Sequence, residues 1–511
     1  MRTEKALKNS LASVLGYGIV FVIGLLVRRL LLHNIDISNL GYDGLFTNIF
    51  QLLSVTELGI GSVLSYHLYE AVAKNNKNEI IVLMKIYKSF YILVAGLVFV
   101  IGMAIFPFLP KIIENSSVTN WEYVNRIYFI HLFITVITFL LSYRRTLLVA
   151  YQMEYKAIKF ETICSASAHI FKAAAIIITK DYIVYLLAGI LFGVISNIIV
   201  YVICGVEYPF IKASDNKVTI KNISARGIFQ EIKNFMAQKI SFTIWAGTDN
   251  ILISMFLGIK EVAFFSNYAL IYSGVDKVLV KILQPLTASI GNMMYTESKE
   301  KKIQFFNVFD LAFFFISSIA VICYITLFQD AITVMFGHEF LLPRAFAVLY
   351  GINCYCGLRQ KSVTMFRDTV GNYEIDKNYQ IASAVTNIII SIIGIKIWGI
   401  SGIMLGTVLS HFLIWFGRSM VVIKHQFDSN LLKYWYKQLL QIILVIIETI
   451  LVLLITYTFK VNFINLFVKL TVCIIVPTVI NSLVYMRSNL FVMCIDYVFR
   501  ILNLCIWKEE K

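Results

Sequence analysis

Positively charged side chains lie inside apolar segments of this sequence, where a helix crossing a membrane would bury them. Ten lysines and arginines have this setting: Arg28, Arg29, Arg126, Lys172, Lys239, Lys277, Lys281, Arg359, Lys361 and Lys469. A charge near the centre of a membrane helix costs about 2.5 to 3.5 kcal/mol, so it usually faces a wet cavity or a partner. Arginine suits phosphate because its planar fork binds two oxygens at once. The chemistry that these residues predict is therefore the binding of a phosphate-bearing anion.

Five of the ten cations are candidates for such binding. Arg28 and Arg29 fall in the outer half of the first predicted helix, Lys277 and Lys281 in the middle of the eighth, and Arg359 in the inner half of the tenth. Together they predict a ladder of positive charge across the membrane. Several sites in a row let an anion move without resting too tightly at any one of them.

Acidic residues occur at the same depth. Glu57 lies in the second predicted helix, Asp249 in the seventh, Asp276 in the eighth and Glu448 in the thirteenth. The first three could bind a coupling cation, because a buried carboxylate can exchange a proton or Na⁺ during a conformational cycle. Static ion pairs are the alternative, joining Glu57 to the arginine pair of helix 1 and Asp249 to Lys277. Nothing in the sequence separates a proton from Na⁺.

The elements that must position these side chains are membrane helices. The chain is 59% hydrophobic with a mean hydropathy of +0.77, and segments such as 16–32 and 441–459 are long enough to cross a bilayer. We predict an all-α polytopic membrane protein with about 14 transmembrane helices. The predicted ranges are 11–33, 42–69, 86–110, 122–151, 157–179, 182–205, 232–257, 262–294, 305–330, 343–367, 377–397, 400–423, 438–459 and 463–486.

The distribution of basic residues predicts the orientation of these helices. Of the 45 lysines and arginines, 29 fall in loops on the side of the N-terminus and six in loops on the other side. The positive-inside rule assigns the first side to the cytoplasm. An even helix count then places both termini there. The net charge of +15 faces anionic lipid headgroups, so nucleic acid is not implied as a partner.

The organisation along the chain is that of two lobes. Residues 163–170 resemble 381–388 at an offset of 218, and residues of predicted helices 2 and 8 match at 219. A duplicated unit of six helices keeps the same topology in both copies, because six is even. The predicted parts are an N-terminal lobe, a cytoplasmic linker, a C-terminal lobe, and two additional helices with an amphipathic tail: residues 1–206, 207–231, 232–425 and 426–511.

Several other kinds of site are not indicated. The eight cysteines lie mostly in apolar segments, with no CxxC and no His/Cys cluster at metal-ligand spacing, so we expect neither disulfides nor a metal site. A membrane polysaccharide polymerase or ligase is an alternative from another class. Such enzymes need a sizeable outward loop with catalytic groups, whereas the predicted outward loops are short and poor in His, Asp and Glu.

Seven motifs in order resemble the polysaccharide transporter (oligosaccharide flippase) family, which belongs to the multidrug, oligosaccharidyl-lipid and polysaccharide exporter superfamily. The resemblance runs from about residue 8 to about 430. It is carried by Gly41-Tyr-Asp-Gly-Leu-Phe-Thr-Asn-Ile-Phe, Glu57-Leu-Gly-Ile-Gly-Ser, Tyr143-Arg-Arg-Thr-Leu-Leu-Val-Ala-Tyr-Gln, Thr248-Asp-Asn-Ile-Leu-Ile-Ser-Met-Phe-Leu-Gly, Phe265-Ser-Asn-Tyr, Phe366-Arg-Asp-Thr-Val-Gly and Gly399-Ile-Ser-Gly-Ile-Met-Leu-Gly-Thr.

The resemblance implies a non-enzymatic transporter with two six-helix lobes around a central cavity. It implies that an undecaprenyl-pyrophosphate-linked oligosaccharide is turned from the inner to the outer leaflet of a bacterial cytoplasmic membrane by alternating access. The pyrophosphate would meet the cation ladder. No cofactor is implied beyond coupling to a proton or Na⁺ gradient, and the partners are membrane lipids and other polysaccharide-assembly proteins. A peptidoglycan lipid-precursor flippase or multidrug exporter of the same superfamily is the nearest alternative.

Overall fold

The structure, a computed structural model, describes residues 2–53, 64, 65, 67–113, 120–211, 247–370 and 376–496. Side chains are described for these residues except 2–15, 280–289, 292, 295, 369 and 370. The α-helices are α1 (Arg2–Asn34), α2 (Ser38–Leu53), α3 (Lys77–Ile105), α4 (Leu109–Ile112), α5 (Trp121–Ser142), α6 (Arg145–Ala150), α7 (Glu154–Thr179), α8 (Tyr182–Glu207), α9 (Asp249–Phe256), α10 (Ile259–Thr296), α11 (Lys299–Met335), α12 (Arg344–Val370), α13 (Lys377–Trp398), α14 (Ile400–Ser419), α15 (Leu431–Thr456) and α16 (Phe463–Tyr485).

The predicted all-α membrane architecture is confirmed. Ten helices within the described ranges are long and apolar enough to cross a membrane. The protein is therefore a multi-pass membrane protein. The bounds of α12 and α13 differ by three residues or fewer from the predicted ranges 343–367 and 377–397.

Helix starts follow a simple sequence signal. Five helices begin after an Asn or Asp whose side-chain oxygen accepts a hydrogen bond from a main-chain N–H of the first turn, which is the arrangement that stabilises helix N-termini. These residues are Asn76, Asn120, Asp181, Asn430 and Asn462. Each stands in a polar stretch between apolar segments, so the same residue ends a loop and fixes the next helix.

The helix α15 shows which solvent surrounds the protein. Its inward face carries Gln438, Gln441 and Glu448, each at most 1% exposed, whereas Ile446 is 54% exposed and Leu454 69% exposed. In water this arrangement would be strongly unfavourable, because apolar side chains face the solvent and polar ones are buried. A lipid bilayer reverses the preference, and its apolar chains cover the outer face of the helix.

Several predicted helices differ in the structure, and two of them are interrupted. The range 122–151 is divided into α5 and α6, with a turn at Tyr143 and Arg144. The range 400–423 becomes α14 followed by a π-helix, Met420–Gln426. The predicted linker 207–231 lies outside the described residues from 212 onward, as does the predicted tail from 497 onward, and the lobe boundaries stay predictions.

The chain divides into two compact units, unit 1 (residues 1–285) and unit 2 (residues 286–511). Within unit 1, α1 packs on α7, α7 on α8, α3 and α8 on α5, and α2 on both α5 and α9. The motif at residue 41 explains one close approach. A Cβ atom at Gly41 would collide with the main-chain oxygen of Ile259, and the main-chain oxygen of Gly44 accepts a 3.0 Å hydrogen bond from Asn250 Nδ2. Glycine is therefore needed where α2 touches α10.

Within unit 2 the closest helix pair is α13 and α14. A Cβ atom at Gly394 would lie 2.7 Å from the main-chain oxygen of Gly402, so only glycines permit this contact. Farther along the same helix pair, Ser383 Oγ donates to the main-chain oxygen of Ser410 at 3.0 Å, and Ser410 Oγ donates to the main-chain oxygen of Ser383 at 3.1 Å. Small residues and interhelical hydrogen bonds are the usual means of holding membrane helices together, since lipid provides no hydrophobic driving force.

Candidate functional site

The first candidate cation, Arg28, lies where α1 meets α10. Its Nε atom donates a hydrogen bond to Asn267 Oδ1 at 3.0 Å, and its Nη2 atom donates to Ser266 Oγ. Both partners belong to the motif at Phe265 and both are neutral. The positive charge of Arg28 is therefore held in place without an ion pair at this contact.

An acid and a histidine belong to the same cluster. Asp43 of α2 lies within electrostatic range of Arg28 and of Lys172. Its Oδ1 atom is 3.3 Å from His131 Nε2, and the side chains of Asp43 and His131 are 36% and 10% exposed. With a neutral imidazole the group contains two cations and one acid. We call these five residues, Arg28, Asp43, His131, Lys172 and Asn267, the Arg28 cluster.

Lys277 lies at the same contact between α1 and α10, at a second level along the two helices. Its ammonium group stands 5.5 Å from the centroid of the Tyr17 ring. Lys277 follows Asn267 by ten residues along α10, which corresponds to about 15 Å. Tyr17 precedes Arg28 by eleven residues along α1, so the antiparallel helices bring both contacts into one register. The structure thus places two of the predicted ladder cations along a single helix contact.

The other predicted site residues of unit 1 differ in exposure, and two of them are not fully described. Arg29 is exposed, next to Arg28 on α1. Lys281 lies in α10, with its side chain outside the described part, and Glu57 lies outside the described residues altogether. Asp249 is the first residue of α9 and Asp276 lies in α10, both half-buried. The predicted pair of Glu57 with an arginine therefore stays a prediction.

Arg359 stands in a different environment, in the interior of unit 2. The side chains of Arg359 and Asp310 are both 0% exposed and form an ion pair of 2.7 Å. Arg359 also donates to the main-chain oxygen of Asp310 at 2.6 Å, to Gln438 at 2.6 Å and to Gln441 at 3.1 Å. Lys437 completes the group, with Nζ 3.0 Å from Asp310 Oδ2. This network ties α11, α12 and α15 together and favours a structural role for Arg359.

Other cations of unit 2 have acidic partners as well. Arg367 is 2.5 Å from Asp376, which also lies 3.6 Å from Arg418 Nε. Lys469 is 2.6 Å from Asp330 near the C-terminal end of α11.

Lys172 and Arg144 of unit 1 contact aromatic rings. Lys172 Nζ lies 4.6 Å from the centroid of the Tyr185 ring. The guanidinium carbon of Arg144 lies 3.6 Å above the Tyr201 ring, and its Nη1 atom donates to the Tyr201 main-chain oxygen at 3.3 Å. The contacts thus differ: these two cations of unit 1 lie against aromatic rings, whereas Arg359, Arg367 and Lys469 of unit 2 form ion pairs.

Comparison with known proteins identifies the family. A family model described as "Polysaccharide biosynthesis protein" matches residues 6–290, more than half of the chain. The chain belongs to this polysaccharide biosynthesis family. The matched range contains every residue of the Arg28 cluster and Lys277, so the family's pattern covers this site. The predicted family resemblance is thereby confirmed.

Solved structures show the fold of this family member. It is similar to "Lipid II flippase MurJ, inward closed conformation", with a TM-score of 0.68 and 12% identity over 92% of this chain and 98% of that chain. An inward-facing multidrug resistance MATE transporter of the MOP superfamily gives 0.55 and 14% over 79% and 92%. A Vibrio cholerae MATE transporter gives 0.55 and 12% over 84% and 98%. No curated protein sequence matches the chain.

Several residues that contact the candidate cations were not predicted from the sequence, among them Asp43 and Asp310. Asp43 stands inside the motif at Gly41, and its position between two glycines that press α2 onto its neighbours is the signal that could have found it. Asp310 was overlooked because it lies 49 residues from Arg359. The only sequence signal for that pair is an acid and a base in consecutive apolar helices, which many membrane proteins contain.

No group of three His, Cys, Asp or Glu residues that could hold a metal is found in the described part of the chain. Six cysteines are free thiols: Cys164, Cys204, Cys323, Cys356, Cys473 and Cys494.

Proposed function

We propose that this protein is a flippase that moves an undecaprenyl-pyrophosphate-linked oligosaccharide from the inner to the outer leaflet of a bacterial cytoplasmic membrane. It would work by alternating access and serve the export of a cell-surface polysaccharide. Membership of the polysaccharide biosynthesis family and a fold similar to a lipid flippase support this function. The observation that carries it is that Arg28 donates its hydrogen bonds to the neutral side chains of Asn267 and Ser266.

Neutral partners matter because a cation inside a membrane protein needs a negative charge to balance it. Asn267 and Ser266 accept hydrogen bonds from Arg28 and so fix its position. They carry no charge, so the positive charge of Arg28 stays available to an anion. A pyrophosphate can supply the missing negative charge, and the guanidinium fork binds its oxygens in pairs. The two cations of the Arg28 cluster exceed its single acid, Asp43, so the cluster attracts anions as a whole.

Lys277 and Lys281 extend this site along α10. The headgroup would pass from one level to the next, about 15 Å apart, while the polyprenyl chain stays in lipid. Arg29, exposed on the same helix as Arg28, would meet the headgroup on its way. Arg359 is left out of this route because its donors are occupied by Asp310 and two glutamines.

Transport would be coupled to a proton or Na⁺. Asp249, Asp276 and Glu57 are the proposed coupling carboxylates, and the Asp43–His131 pair is a further candidate because it adjoins Arg28. Coupling and substrate binding would then share one cluster of charges. The proposed orientation places both termini in the cytoplasm, with other polysaccharide-assembly proteins as partners.

The test is a leaflet-exchange assay in proteoliposomes that contain the full-length protein. The probe is a fluorescent undecaprenyl-pyrophosphate disaccharide whose outer-leaflet fraction is quenched by an impermeant reagent. Wild type should exchange the probe, Arg28→Gln should lose at least tenfold in rate, and Arg28→Lys should retain part of it. The matched control is Arg126→Gln, since Arg126 is 64% exposed and pairs only with Glu122 on its own helix.

Two related substrates are separated by the same assay. Lipid II carries the same pyrophosphate, so it should compete if the headgroup charge is recognised, whereas a cationic drug should not, because Arg28 and Lys172 repel it. Exchange of lipid II alone would assign the protein to the peptidoglycan precursor. Export of a cationic drug with no exchange of either lipid would overturn the proposed function.

The role of Arg29 is tested by pairing its substitution with one at Glu57. If Arg29→Gln lowers the protein level and the double variant Arg29→Gln with Glu57→Gln restores level and exchange, the charge is structural. If exchange stays lost in a stable double variant, Arg29 acts on the substrate.

A further inference from the structure

Glu448 is a carboxyl group buried in unit 2 for which the described part of the chain offers no hydrogen-bond partner. Its side chain is 0% exposed, and neither Oε1 nor Oε2 is hydrogen-bonded. It lies on the inward face of α15, which packs against α11 and α16. An unpaired carboxylate in such surroundings costs several kcal/mol. The group must therefore carry a proton or hold a cation.

The register of the helices gives its level. Gln441 Nε2 donates to the Tyr485 hydroxyl at 3.2 Å, which pairs α15 with α16 in antiparallel directions. Counting from this contact, Asn481 stands opposite residue 445, one turn from Glu448. Helical side chains lean toward the N-terminus of their helix, so Glu448 leans back toward residue 445 and Asn481 leans toward Glu448. The two side chains therefore reach one level between α15 and α16.

Asn481 is the second side chain with unused capacity. It is 0% exposed; its Nδ2 atom donates to Ser318 Oγ at 3.0 Å, while its Oδ1 atom has no partner among the described residues. Four residues earlier, Pro477 interrupts α16. Proline has no N–H, so the main-chain oxygen of Cys473 loses its helical donor. The level of Glu448 is thus rich in oxygen acceptors and poor in donors.

We propose that Glu448 and Asn481 form a binding site for one small monovalent cation, H⁺ or Na⁺, between α15 and α16. This site would be separate from the carboxylates of unit 1 proposed for coupling. It would give the two additional C-terminal helices a chemical role. It does not depend on what the protein transports.

Charged neighbours do not neutralise Glu448. Besides Glu448, the titratable groups on α11, α15, α16 and the π-helix, with Arg359 of α12, are Lys299, Glu300, Lys301, Lys302, Asp310, Cys323, Tyr324, Asp330, Arg359, Lys424, His425, Lys433, Tyr434, Tyr436, Lys437, Lys469, Cys473 and Tyr485. The cations nearest in register are already paired, Arg359 and Lys437 with Asp310, and Lys469 with Asp330. Lys437 precedes Glu448 by eleven residues, about 16 Å along the helix. A bound cation would balance the carboxylate.

Infrared difference spectroscopy tests this site on the full-length protein in lipid nanodiscs. Wild type minus Glu448→Gln should show the carbonyl band of one protonated carboxylic acid in choline chloride at pH 7. Wild type minus Glu122→Gln, the control at an exposed acid, should show none. If NaCl replaces the band by that of a carboxylate, the site takes Na⁺; if the band resists NaCl and disappears as the pH rises, it takes H⁺. An ionised Glu448 in choline chloride at pH 7 would overturn the proposal.

A second variant tests the partner. Asn481→Leu should shift the pH or the NaCl concentration at which the Glu448 band changes by at least threefold in cation concentration. Thr478→Val, three residues away on the same helix, should leave it unchanged. Equal titrations of wild type and Asn481→Leu would exclude Asn481 from the site. Melting temperatures of all variants are measured alongside, and Glu448→Gln should match wild type because glutamine resembles the neutral acid.

Discussion

The Nε atom of Arg28 donates a hydrogen bond to the side-chain oxygen of Asn267, 3.0 Å away, across the contact of α1 and α10. An amide oxygen orients the guanidinium but brings no charge. Replacing the amide of Asn267 by a carboxylate therefore changes the charge of the site and keeps its shape.

The first prediction uses this isosteric change. Asn267→Asp should give Arg28 an ion-pair partner and lower the exchange of the pyrophosphate probe about tenfold or more, since about 1.4 kcal/mol of lost binding free energy corresponds to that factor. Protein level and melting temperature should be equal to wild type or higher. Asn78→Asp, at an exposed position of α3, is the control. Unchanged exchange in Asn267→Asp would show that the charge of Arg28 is not used.

The second prediction concerns the buried network of unit 2. Asp310→Asn should destabilise the protein by about 3–5 kcal/mol, because it leaves the Arg359 charge buried without its partner. Heating followed by size-exclusion chromatography measures the surviving monodisperse fraction. The double variant with Arg359→Gln should recover much of it. A stable Arg359→Gln protein that no longer exchanges the probe would return Arg359 to the substrate route.

The third prediction concerns the contact of α13 and α14. Gly402→Val should lower the melting temperature and the amount of folded protein, since the added carbons must enter the main chain of Gly394. Gly96→Val is the matched control, because Gly96 lies in α3 and a Cβ atom added there would meet no atom within 4 Å. Equal losses in both variants would mean that helix propensity, and not the contact, decides the outcome.

The fourth prediction concerns orientation. A cysteine at Lys460, exposed between α15 and α16, should react in intact cells with an impermeant maleimide, and a cysteine at Asn78 should react only after the cells are opened. Each is introduced into a variant that lacks the eight natural cysteines. Labelling of the Asn78 position from outside would reverse the assignment that the basic loops predict.

The sequence was sufficient for the helices because their signals are local. An asparagine cap followed by an apolar run marks the start of α5 and of α16, and both begin within one residue of the predicted positions 122 and 463. The turn at Arg144 was missed because a helix of thirty residues is as compatible with the composition as two shorter helices. The residue pattern marks the turn only by two basic residues, Arg144 and Arg145.

The candidate site was less accessible because charge pairing is decided in three dimensions. Arg28 and Arg359 look alike in sequence, each inside an apolar helix. Their difference arises from Asn267 in one case and Asp310 in the other, residues 239 and 49 positions away. Only the folded packing of α1 on α10 and of α11 on α12 brings these partners into contact.

The contact of Gly394 with Gly402 also limits how unit 2 can move. Two helices whose main chains touch, and whose serines exchange hydrogen bonds with each other's backbone, cannot slide or rotate separately without breaking that contact. The two helices will therefore move together as one rigid unit. Any bending must then occur at the ends of this rigid pair. The π-helix at Met420–Gln426 directly follows the end of α14. Loosely wound helical turns of this kind are frequent at functional sites.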